Sequence, residues 1–185
     1  MSLLELASQG EPEPFAVLLE RHAPALQRFV RSLLSNREDA EEALQEAFLG
    51  AWRHVSRGGR VEQPRAWFFQ VARHAAWRRV RRRAGEPERL EPLERLGMEA
   101  GWGGEHDPER LSALLESREQ LHAALLELSE TDREAVWLRD IEGLSGPEAA
   151  AATGLPLATF KTRLHRARLR LRAQLQARLR EGGGA

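Results

Sequence analysis

No cysteine occurs in these 185 residues, so disulfides and thiolate metal sites are excluded. Net charge is also missing: 28 Lys and Arg balance 28 Asp and Glu. The apolar runs fall far short of the ~20 residues that a membrane span needs, so no membrane insertion is expected. The opening stretch MSLLELASQGEPE has neither the basic start nor the long apolar run of a secretory signal, and a cytoplasmic location is the expectation. The histidines His22, His54, His74, His106, His122 and His165 are scattered, so no metal and no cofactor are expected. No glycine-rich phosphate cradle and no recognisable nucleophile setting occurs, which argues against an enzyme.

What is present is charge sorted by position. Arg73 to Arg83 holds six arginines and no acid. Leu155 to Arg180 holds eight Lys or Arg and again no acid. Between them, RLEPLERLGMEAGWGGEHDPE is dominated by acids. Two basic segments parted by an acidic one suit a two-point grip on a polyanion.

The periodicity predicts an all-α chain of two small helical domains. In the first, Phe15, Leu18, Leu19, Leu26, Phe29, Val30 and Leu33 form a helical stripe, bent or broken near Pro24. Asn36 to Asp39 reads as a turn and helix start, and Ala43, Ala47 and Trp52 continue the pattern. SRGGR is a loop, and Pro64 opens a helix that runs into the arginines. Trp67, Phe68 and Phe69 are consecutive and cannot share one helical face, so at least one is expected at a surface or boundary. Gly85 to Pro108, with its glycines, prolines and acids, reads as a flexible linker.

The second domain is expected from about Arg110. Leu111, Leu114, Leu115, Leu121, Leu125 and Leu128 belong to packed helix. Ser129 or Thr131 starts the next helix, Gly143 ends it, and Ser145 caps a short one. Gly154 then turns the chain into a final helix. Its apolar face is Leu157, Phe160, Leu164, Ala167 and Leu171. Its other face carries Lys161, Arg163, Arg166, Arg168 and Arg170. A helix, a tight turn and a basic helix make a helix-turn-helix pattern, whose second helix fits a major groove.

LSETDREAVWLRDIEGLSGPEAAAATGLPLATFKTRLHRARLRLR resembles region 4 of the extracytoplasmic-function (group 4) subgroup of the sigma-70 family of bacterial RNA polymerase sigma factors. REDAEEALQEAFLGAWRHV resembles the sigma segment that binds the polymerase clamp, and QPRAWFFQVARHAAWRRVRRR resembles the one that melts and reads the −10 element. The resemblance covers about residues 12–83 and 110–178. It implies a region 2-like domain over 1–83, an acidic Gly/Pro-rich linker over 84–109, a region 4-like domain over 110–181 and a tail over 182–185.

The resemblance also assigns residues. Asp39, Glu42, Gln45 and Glu46 would meet a basic coiled coil of the β′ clamp of RNA polymerase core, whose β subunit is a further expected contact. A loop over Val55–Gln63, with Arg57 and Arg60, would hold a flipped −10 base. Arg73, His74, Trp77, Arg78, Arg79 and Arg82 would serve the −10 element. His74 and Trp77 replace residues that are commonly Asn and Asp in the family. Ala158, Lys161, Thr162, His165 and Arg166 would face the −35 major groove, while Arg163 and Arg168 secure phosphates. Promoter DNA, polymerase core and an anti-sigma factor are the expected partners. A helix-turn-helix regulator acting without polymerase would explain Ser145–Arg172 but not the acidic helix or the other basic cluster.

Overall fold

The computed structural model describes residues 3–34, 36–82 and 118–182, all of them in helices, turns and short connections. The proposed linker and the leucines at 111, 114 and 115 lie outside the described residues.

The N-terminal unit has four helices: α1 (Leu3–Ser8), α2 (Pro12–Leu33), α3 (Arg37–Ser56) and α4 (Pro64–Arg82). Helix α1 has no counterpart in the expected pattern; it is six residues long, and Ala7 is its fully buried anchor. Pro12 and Pro14 stand in the first turn of α2, where a missing amide costs no intrahelical bond. Of the bend or break expected near Pro24, the break is absent: α2 runs through, because its apolar face continues on both sides and is packed along its length. Asn36 caps α3 by accepting from the Glu38 amide at 2.8 Å.

Small residues set the distance between α3 and α4. Ala40, Ala43, Ala47 and Ala51 are buried on α3, and Ala66, Ala72, Ala75 and Ala76 on α4. Rings fill the space toward α2. Phe29 meets Phe69 edge-on at 5.3 Å, and Phe15 lies 5.3 Å from Trp52 and 6.1 Å from Phe68. Phe68 and Phe69 are both buried, so Trp67 is the boundary residue of the aromatic triplet, packed against His54 at 5.4 Å.

The C-terminal unit begins with α5, described over 118–126. Helix α6 (Glu130–Val136) starts at Ser129, whose hydroxyl accepts from the Asp132 amide at 3.3 Å. It continues as one wide turn, Trp137–Ile141, in which the Glu142 amide reaches back to the Trp137 carbonyl at 2.9 Å. Helix α7 (Gly146–Thr153) carries a complete capping box between Ser145 and Glu148. It stops at Gly154, whose φ of 70° is the left-handed conformation glycine takes without strain. Helix α8 (Leu157–Gly182) follows, its first bond accepted by the Pro156 carbonyl. Phe160, Leu164 and Ala167 are buried beneath it.

The two units are packed together, with α7 against α4. Glu142 is the main joint. Its side chain, almost wholly buried, accepts from Arg28 at 2.9 and 3.2 Å and from the Trp137 indole at 3.2 Å. Its backbone carbonyl accepts from Arg65. A second joint pairs Arg73 of α4 with Glu134 of α6, whose side chain is wholly buried.

Candidate functional site

Three surfaces carry the expected site residues. The first is the outer face of α3. Glu42 and Gln45 are exposed and Glu46 is partly so, but Asp39 is buried. The acids do not stand alone. Arg79 of α4 reaches Asp39 at 3.6 Å, Glu42, and Glu46 at 2.9 Å. Arg78 and Arg82 approach Glu46 at 3.5 and 3.7 Å. Partial burial would raise the Glu46 pKa, but the Arg79 hydrogen bond and the surrounding arginines win and hold it below 4.5. For Arg79, burial opposes charge, and the bonds to Glu46 and Glu42 overcome it and raise its pKa.

The second surface lies at the end of α3 and along α4. Gly50, Arg53, His54, Arg57 and Gly59 line a shallow cleft beside the 55–63 loop. The backbone turns here at Gly58, φ 79°. Gly59 makes room for the His54 ring, since a Cβ there would stand 2.4–2.6 Å from its atoms. Arg53 and His54 extend the expected Arg57 and Arg60 pair; the arginine at 60 is exposed but does not line the cleft. Along α4, the Arg73 guanidinium sits 5.8 Å from the Trp77 ring and is paired with Glu134. The Trp77 indole N–H is buried outside hydrogen-bond geometry, yet close enough to favour ionised Glu134. Burial dominates at Glu134 all the same, so its pKa is raised despite Arg73. His74 is exposed, and partial desolvation followed by Arg73, Arg78 and Arg81 lowers its pKa.

The third surface is α8. Ala158, Lys161, Thr162, His165 and Arg166 are exposed, and Arg163 is partly so. A concavity beside them is lined by Asp132, Ala158, Thr159, Thr162, Arg163, Arg166 and Arg170. The Thr162 hydroxyl donates to the Ala158 carbonyl at 3.1 Å. Among the described residues Lys161 and Arg166 form no ion pair, whereas Arg168 is bound to Asp140 through Nε at 3.0 Å and through Nη2. Arg170 is likewise paired with Asp132 and Arg178 with Glu127. The open cations thus lie toward the start of the helix and the stapled ones farther along it.

Among the described residues no cluster of His, Asp and Glu could hold a metal ion, and no helix is long and apolar enough to cross a membrane. The arrangement offers groups that grip charge and shape rather than groups poised for bond making.

Residues 18–86 match the family described as sigma-70 region 2, and residues 118–171 match sigma-70 region 4. The chain is 33% identical over 177 residues to RNA polymerase sigma factor CnrH of Cupriavidus metallidurans, spanning 92% of this chain and 91% of that one. It is 30% identical over 177 residues to the ECF RNA polymerase sigma factor SigL of Mycobacterium tuberculosis, spanning 95% and 97%. Its fold is similar to CnrH solved with the cytosolic domain of CnrY, with a TM-score of 0.65 at 27% identity over 95% of this chain and 96% of that one. It is also similar to the sigma factor RpoE of Bartonella quintana solved with the anti-sigma factor NepR, with a TM-score of 0.65 at 26% identity over 91% and 98%.

Proposed function

Given that the chain belongs to the extracytoplasmic-function group of sigma-70 factors, which direct RNA polymerase core to promoters and are not themselves enzymes, we propose how its surface divides that task. Residues 1–83 form the core-binding and −10 domain, 84–109 the linker, and 110–181 the −35 domain. Glu42, Gln45 and Glu46 meet a basic surface of the β′ clamp, with Asp39 behind them. The cleft lined by Arg57 and Gly59 takes an unstacked −10 base, since its arginines and the His54 ring offer charge and a stacking face. Arg78 and Arg82 contact neighbouring phosphates. Arg73, His74 and Trp77 reach the −10 strand once Glu134 has moved away.

In the C-terminal domain, α7 and α8 act as a helix-turn-helix. Lys161, Thr162, His165 and Arg166, with Ala158 at the entry, face base edges of the −35 element. Arg163 secures phosphate. Arg168 is stapled to Asp140, and its phosphate contact requires that pair to open or be shared. The observation that carries this assignment is that Lys161 and Arg166, exposed on α8, form no ion pair among the described residues, in a chain that also holds an acidic helical face. A partner that covers the acidic helix or the two DNA surfaces is the third expected binder. The likeness to chains solved with CnrY and NepR supports an anti-sigma factor in that role.

The test is reconstitution with cognate core polymerase on a promoter library, sequencing transcript starts and enriched upstream elements. Enrichment of two spaced elements is expected only with core present. Equal selectivity by the free chain would replace this reading with a stand-alone regulator. For the acidic face, the Glu42→Lys/Glu46→Lys double variant should lose core affinity while its far-UV circular dichroism stays unchanged.

A further inference from the structure

The basic helix α4 and the acidic helix α3 lean on each other. Three carboxylates, from Asp39, Glu42 and Glu46, face three guanidiniums, from Arg78, Arg79 and Arg82. Their formal charges cancel. A patch so neutralised has little field beyond a Debye length, about 8–10 Å, so it attracts a cationic partner weakly from a distance.

The three arginines are not equivalent. Among the described residues Arg78 and Arg82 pair with Glu46 alone, at 3.5 and 3.7 Å, with side chains 47% and 63% exposed. They are free to turn toward DNA. Arg79 is 17% exposed and forks over all three acids. An incoming lysine or arginine at Glu42 or Glu46 meets carboxylates that Arg79 already occupies.

We propose that Arg79 is a residue of the polymerase-facing surface rather than of the DNA grip, and acts as an internal competitor that weakens and slows core binding. This rests on the reading that Glu42 and Glu46 face polymerase. Its physical basis is ion-pair exchange: a cation from the partner replaces or shares the place of one from α4. Removal of Arg79 leaves one surplus negative charge at the centre of the patch. Electrostatic attraction of that kind acts mainly on the association rate and is screened by salt.

The experiment measures association and dissociation of the full chain with cognate core polymerase at several salt concentrations. Each variant is checked by thermal melting. Arg79→Gln should bind about three- to ten-fold more tightly at low salt, through a faster association rate and a steeper salt dependence. Arg79→Lys, which keeps the charge, should stay near the unaltered chain. The gain should vanish in a Glu42→Gln/Glu46→Gln background. Arg79→Met, which keeps most of the packed stem, carries the same expectation should Arg79→Gln fail to fold.

Unchanged or lower core affinity in folded Arg79→Gln and Arg79→Met would overturn the proposal, as would a gain that survives without the two glutamates. Unchanged core affinity with impaired promoter opening would return Arg79 to the DNA grip. The Glu42→Lys/Glu46→Lys variant separates the underlying reading: if it binds core normally, the acidic face is not the polymerase surface, whatever Arg79 does.

Discussion

Helices α4 and α8 are both rich in arginine, yet they hold their charge differently. On α4 the cations fold back: Arg73 is paired with Glu134, and Arg78, Arg79 and Arg82 gather at the acids of α3. On α8 the later cations fold back, Arg168, Arg170 and Arg178, while Lys161 and Arg166, nearer its start, remain open among the described residues. The difference teaches that basic residues in a row specify a capacity, and that acids on a neighbouring helix decide its availability. A helix with its charges already matched binds by exchange; one with open charges binds by addition.

The largest expected effect comes from removing the platform that displays the open cations. Phe160 is fully buried under α8. Phe160→Ala should cost about 3–5 kcal/mol by the transfer and cavity terms, read as a shift in the denaturant midpoint. Next comes the comparison itself. Lys161→Ala with Arg166→Ala should weaken −35 duplex binding by holoenzyme about ten- to a hundred-fold without lowering the melting temperature. Arg168→Ala should weaken binding less than that pair of substitutions, because Arg168 is already held by Asp140; a loss as large as theirs would remove the distinction between the open and the stapled cations of α8.

Smaller still is the coupling across the domain joint. A double-mutant cycle over Arg73→Ala and Glu134→Ala should give an interaction of about 0.5–3 kcal/mol in unfolding free energy. A value near zero would mean that this pair adds nothing and that Glu142 carries the polar part of the joint.

Two glutamates of opposite shift give a fourth check. Glu46 is lowered in the folded chain, so its contribution is present above pH 4.5 and is lost as pH falls through its lowered value. Glu134 is raised, so the folded chain binds its proton more readily than the unfolded chain does. Its contribution therefore falls as pH rises from 4.5 through the raised value. Denaturant midpoints across this range should lose their acid-side slope in Glu46→Gln and their upper slope in Glu134→Gln.

Much of this was legible in the sequence. The stripe of α2, the stripe of α8 from Phe160 onward, the caps at Asn36, Ser129 and Ser145, and the turn at Gly154 all follow from local rules, and the structure has each of them; Leu157, expected at the head of the α8 stripe, is exposed instead. Helix α1 escaped because six residues are too few for periodicity to declare itself. The Arg79 network escaped because it depends on the rotation and axial offset of α3 against α4, which no single-helix pattern contains. Arg53 and His54 escaped because the cleft exists only where Gly59 lets a ring lie against the backbone. A signal was available for the domain joint: Glu134 and Glu142 fall at helical spacing with the apolar Leu138 and Ile141, at the two ends of an otherwise apolar stripe. Acids set among such neighbours must be buried with a partner or spoil the face.

The joint at Glu142 has a consequence for how the chain is made. Arg28 leaves the ribosome 114 residues before the carboxylate that will hold it, and Arg65 leaves 77 residues before the carbonyl that it reaches. Once Arg82 has been made, helices α1 to α4 are all synthesised, and their anchoring groups wait unoccupied until Glu142 follows. Those groups are guanidiniums, which water solvates well; leucines waiting in their place would be sticky on a nascent chain. The polar chemistry of the joint thus suits the order of synthesis: the early half keeps its docking points wet until the late half arrives.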